Sequence, residues 1–193
     1  MSADVPQPWR SFLHEVDGQI AESVDLHCLG GFVVSVCYGL PRPTSDVDVF
    51  KTVPSGSSGQ LVQLAGQGSG LHKKHGVYLQ MATIPQLPEN YVDRLHQMFP
   101  DAFTHLRLWA LDPYDLALSK LERNQDVDIE DAKHLARTVP LNLGTLRRRY
   151  HDELRQMLGR PDREDLTLDL WVEAIEEERA ARPGTSPSTG RSQ

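Results

Sequence analysis

The sequence predicts an α+β protein, with a small mixed β-sheet flanked by helices and then a helical C-terminal region. Three observations predict it. Four short strand-like runs lie between Val24 and Leu111. After Leu111 the pattern turns to helical spacing. A doubly wound dinucleotide fold would need more strands and a G-x-G-x-x-G turn, and that turn is absent. The predicted organisation is an α/β core over residues 1–111, a helical region over 112–181 and a disordered tail over 182–193.

In order along the chain, residues 8–22 have near-helical apolar spacing and predict a first helix. Val24, Leu26 and Cys28 alternate with polar residues, predicting a short strand that runs into Gly30-Gly31. The run FVVSVCYG is too short and too branched to assign by propensity. Gly39, Pro41 and Pro43 enforce a loop, and DVDVF predicts the second strand. PSGSSGQLVQLAGQGSG predicts loop, short helix and loop, and is the most mobile internal region expected. GVYLQMATI and FTHLRLWAL predict the third and fourth strands, while PENYVDRLHQMFP between them is polar and unassigned. Asp112 is a good N-cap with Pro113 in the first turn, so PYDLALSKLER predicts a helix. DIEDAKHLART follows as a helix capped by Asp128, and two more helical stretches complete the chain.

Composition narrows the function classes. The 193 residues, 39% hydrophobic, suffice for a real core. No run approaches the ~18 apolar residues of a membrane span, and MSADVPQPWR has no export-signal pattern. A cytoplasmic protein with no membrane partner is expected. A net charge of -7 argues against coating nucleic acid through bulk charge. Arg147-Arg148-Arg149 is a local basic site that reads as a solvated helix face. Cys28 and Cys37 sit in apolar segments and read as buried thiols, with no cysteine-histidine spacing suited to zinc.

The chemistry concentrates in GGFVVSVCYGLPRPTSDVDVF, residues 30–50. In a strand, residues i and i+2 share a face, so Asp46 and Asp48 project together while Val47 and Val49 face the core. Two carboxylates so placed repel unless a cation lies between them or one is protonated. Magnesium typically takes one or two protein carboxylates plus phosphate oxygens. Gly30-Gly31 lets backbone approach a ligand closely, and a helix starting near Phe32 would offer free N–H groups to phosphate. Arg42 adds a forked phosphate donor, and Thr44 a hydroxyl two residues before Asp46. The HKKH run, His72 to His75, reads as solvated surface, although with Tyr38 it could line an acceptor side.

On these residues the sequence resembles the nucleotidyltransferases of the DNA polymerase β-like superfamily. Within it, LGGFVVSVCYGLPRPTSDVDVF looks most like the branch of small bacterial proteins that includes abortive-infection and MenT-type toxins. LDPYDLALSKLERNQDVDIEDAKHL supports the same branch, with Lys120 in its lysine position and Asp128, or else Asp131, in its aspartate position. The resemblance covers about residues 22 to 138. It implies a polymerase β-like fold and an enzyme using Mg2+ or Mn2+. The catalytic set it implies is Asp46, Asp48, Lys120 and Asp128. Nucleotide would be held by Gly30, Gly31, Arg42, Thr44, Ser45 and Lys120, and metal by Asp46, Asp48 and Asp131. An NTP is the implied donor, a tRNA end or a protein the acceptor, and a toxin–antitoxin or phage-defence pair the implied setting, with a cognate toxin or antitoxin as partner. One departure stands out. Many relatives carry a third carboxylate on a later strand, where this chain has Gln80. Asp128 or Asp131 would then supply it. The alternative is a catalytically weak binding module or antitoxin on the same fold.

Overall fold

The computed structural model describes residues 4–83 and 86–181. The tail predicted over 182–193 lies outside the described residues, as does Ile84 at the end of the third strand-like segment. Five strands form one mixed sheet in the order β3-β2-β1-β5-β4: β1 Val24–Leu29, β2 Asp46–Val53, β3 Tyr78–Met81, β4 His96–Met98 and β5 Leu106–Ala110. The central β1 runs parallel to β5 and antiparallel to β2. β3 joins β2 in parallel, and β4 closes the other edge antiparallel to β5. The sheet is α+β, as the sequence predicts.

The two faces of the sheet differ in chemistry. One carries Leu26, Cys28, Val47, Val49, Leu108 and Ala110, each 1% exposed or less. The other carries Asp46 and Asp48 of β2, level with Tyr78 and Gln80 of β3. Leu29 pairs with Asp48 and Cys28 with Val49, but His27 pairs with Lys51, so Phe50 is an extra residue in β2. This β-bulge lets the same strand keep its acids in phase with Leu29 and still bury Thr52 further along.

Eight α-helices accompany the sheet among the described residues: α1 Trp9–Asp17, α2 Gly30–Tyr38, α3 Ser57–Ala65, α4 Gly70–His75, α5 Pro113–Leu118, α6 Asp126–Thr138, α7 Leu143–Arg149 and α8 Pro161–Ala180. One apolar cluster runs from Val5 to Val172, continuous across residues 111 and 112. Ion pairs cross there too. Arg94 binds Asp115 of α5 and Glu153 across it, and within the helical region Arg149 binds Asp112 and the same Asp115. No described helix is long and apolar enough to cross a membrane.

Several local expectations are corrected. α1 stops at Asp17 rather than at residue 22, where Gly18 N–H bonds the His14 carbonyl and Gln19 N–H the Val16 carbonyl, closing the last turn. The branched run after Gly31 is helical. Burial of Phe32, Val33 and Val34 overrides its weak helix propensity. A fifth strand, β4, comes from the unassigned polar segment, and the HKKH run, expected as solvated surface, falls in helix α4. Lys74 and His75 there both bind Glu15 of α1. α5 ends at Leu118, and Lys120 N–H bonds back to the Ala117 carbonyl in a tighter turn. Asp128 is not the cap of α6. Gln125 is, and Asp128 sits three residues in, accepting from the Gln125 N–H. Nor is the arginine triplet simply solvated, since Arg147 pairs with Asp169 and Arg149 lies against the Tyr114 ring.

Candidate active site

β1, α2, β2 and the α5–α6 turn meet around a cavity of about 560 Å3. The chain enters it at the end of β1, where Gly30 opens α2 with φ +77. That backbone angle suits glycine, and space demands it as well. A Cβ on Gly30 would lie 2.0 Å from Asp48 Oδ2. No side chain caps α2, so its first amides remain open toward the cavity. Gly31 sits beside the Thr44 hydroxyl and the Arg42 guanidinium.

Opposite the glycines stand Asp46 and Asp48, both half-buried and both lining the cavity. Thr44 donates its hydroxyl to Asp46 Oδ1 at 2.6 Å and so fixes that carboxylate. Burial, then the neighbouring charge of Asp46, pushes the Asp48 carboxyl up to about 6. Lys120 and Arg123 pull it down but do not win. The pair is therefore short of positive charge at neutral pH.

The far wall is cationic and is braced from α6. Lys120, buried at the end of the α5 turn, donates to Asp131. Arg42 reaches the same Asp131 Oδ2 at 3.0 Å, so one buried carboxylate holds two cations that line the cavity. Asp128, fully buried, takes a two-pronged contact from Arg123, and Lys120 Nζ lies 3.8 Å from it. Burial alone would raise the Asp128 carboxyl, but Arg123, the Gln125 N–H and Lys120 hold it below the ordinary value.

The structure thus brings Gly30, Gly31, Arg42, Thr44, Asp46, Asp48 and Lys120 to one cavity. It does not bring Ser45, which is exposed and gives its carbonyl to Tyr78 N–H. Asp128 and Asp131 stand behind the wall rather than on it, each engaged by cations. No cluster of three or more His, Cys, Asp or Glu side chains suited to a metal occurs among the described residues. Tyr38 and the α4 residues lie outside the cavity lining. Sequence reasoning missed Arg123, Ser119 and Thr83 on the wall. The only signal for Arg123 was its place three residues after Lys120, and that gains meaning once the turn after Leu118 is seen. Cys28 and Cys37 play no part here. Burial pushes both thiols up, Cys37 to about 12, away from thiolate chemistry.

A mixed sheet that presents Asp-x-Asp beside a glycine-opened helix is compatible with a nucleotidyltransferase fold. Residues 11–179 match the model of a family described as nucleotidyltransferase of unknown function (DUF6036), and the chain belongs to that family. No curated protein and no solved structure matches it.

Proposed function

We propose that the protein is a magnesium- or manganese-dependent nucleotidyltransferase that moves a nucleotide from an NTP to a hydroxyl of an RNA, such as a tRNA end, or of a protein. The observation that carries this is the opposition, across one cavity, of Asp46 and Asp48 to Lys120, Arg42 and Arg123. The donor set fits a hard divalent cation: two carboxylates on one face, one of them held up to about 6 by burial and its twin. Such a cation, held by Asp46 and Asp48, would offset charge on the phosphates.

The residues divide the remaining work. The open amides at the start of α2, with Arg42 and Lys120, orient the triphosphate. Asp131 keeps both cations aimed, and Thr44 keeps Asp46 in place. The acceptor oxygen bonds to the α-phosphorus as the bond to the β-phosphate oxygen breaks. Pyrophosphate leaves and the acceptor proton passes to solvent. A cytoplasmic setting and a cognate toxin or antitoxin partner belong to the same proposal, on the resemblance alone.

One observation favours the non-catalytic reading. Gln80 stands level with Asp48 on the neighbouring strand, where a third carboxylate would add charge for a cation. Incubation with labelled NTPs, Mg2+ and total cellular RNA and protein separates the two readings. Label in one fraction, lost with Asp46→Asn, supports transfer. Thermal stabilisation that needs both Mg2+ and NTP, without label in either fraction, supports a binding module.

A further inference from the structure

α8 is the longest helix among the described residues, and its two sides differ. One side buries Thr167, Leu168, Trp171, Val172 and Ile175. The other carries Arg163, Leu166, Leu170, Glu173 and Glu177, spaced by three, four, three and four residues. That is the spacing of a coiled-coil seam. Leu166 and Leu170 are 61% and 53% exposed, the two most exposed large apolar side chains described.

We propose that this stripe is a self-association surface, on which two copies of the chain pair α8 antiparallel about a twofold axis passing between Leu166 and Leu170. The charge order selects both the occupant and the direction. Reversing the stripe against itself sets each Leu166 on a Leu170. The same reversal sets each Arg163 level with a Glu173, on both sides of the leucine pair. Pairing the two helices in parallel would set Arg163 on Arg163 and Glu173 on Glu173, which repels. An isologous contact of this kind needs a self-complementary patch, and the stripe is one. Arg163 is half-exposed, and in the single chain it donates to the Glu122 carbonyl at 3.3 Å and lies 3.8 Å from Glu164, two long contacts that pairing with Glu173 would replace or share. Glu173 is exposed. Two leucines and one charge at either end amount to a handful of side chains, against the roughly 20–30 residues a side of a standard interface. The overall charge of -7 also opposes association. The dimer is therefore weak, with a Kd of about 10 µM to 1 mM. Arg163 also bonds the backbone beside Arg123, so the interface adjoins one wall of the nucleotide cavity.

Sedimentation equilibrium over a concentration series to about 1 mM tests the proposal. The wild type should fit a monomer–dimer equilibrium. Leu166→Glu with Leu170→Glu should abolish it. Arg163→Glu and Glu173→Arg should each weaken it about tenfold, and the two together in one chain should restore it. All four positions are exposed, and circular dichroism confirms that each variant is folded. A wild type that stays monomeric throughout overturns the proposal. So does a dimer indifferent to the leucine changes, or a double charge reversal that fails to rescue.

Discussion

Asp48→Asn should make the metal-free protein more stable, and the size of the gain follows from the site. The Asp48 carboxyl is raised from 3.8 to about 6 by burial and by Asp46. Each unit corresponds to about 1.4 kcal/mol, so the ionised form costs the fold at most about 3 kcal/mol. Water at the cavity mouth screens part of this, leaving about 1–3 kcal/mol. The sign follows from the direction of the shift. A carboxyl raised in the fold contributes nothing unfavourable below its unfolded value near 3.8. Its cost grows as pH rises and is complete above about 6. Asparagine cannot ionise, so the variant escapes that cost. Chemical denaturation in EDTA should therefore show Asp48→Asn more stable by about 1–3 kcal/mol at pH 8, or about 2–10 °C in Tm. The gap should close toward pH 4. Adding Mg2+ should reverse the order, stabilising the wild type alone. A variant no more stable than the wild type at pH 8, or a gap that ignores pH, would refute the reasoning.

Gly30→Ala should lose about 1–3 kcal/mol of stability, since the new methyl must adopt φ +77 and displace the Asp48 carboxylate; urea denaturation measures it. Lys120→Ala should weaken NTP binding about tenfold to a hundredfold by calorimetry, with a smaller effect on Mg2+, because it deletes a cation. Adding Asp131→Asn to that variant should cost less NTP affinity than Asp131→Asn costs the wild type, because Asp131 acts partly through Lys120. Asp17→Asn should destabilise by about 1–3 kcal/mol at neutral pH. Burial would raise the Asp17 carboxyl, but N–H groups of Thr104, Leu106 and His105 hold it below its ordinary value. Its contribution is present above the ordinary carboxylate value and fades as pH falls through the depressed one, so the gap between variant and wild type should shrink in acid.

What could be read from the sequence was what depends on neighbours in the chain. The shared face of Asp46 and Asp48 follows from the two-residue period of a strand, and the structure has it so. The glycines that open α2 announced a close approach, now seen between Gly30 and Asp48. α2 itself could not be assigned, because its valines favour strands and its helix is imposed by burial between distant elements. β4 is three residues, two of them polar, and gains its hydrogen bonds only from β5. The posts of Asp128 and Asp131 behind the cavity wall were equally hidden. They depend on where the turn after Leu118 throws Lys120 and Arg123, and on Arg42 arriving from a loop 89 residues earlier than Asp131.

The bulge at Phe50 also sets how this chain can change length. A deletion there would merge the two halves of β2 into one unbroken ladder and leave Asp48 level with Leu29. A deletion of Val47 would instead draw Asp46 into the slot of a fully buried valine and turn one acid of the pair toward the hydrocarbon interior. Insertions and deletions within β2 should therefore survive at Phe50 and be purged between the two aspartates, a bias that length variation across the family would display.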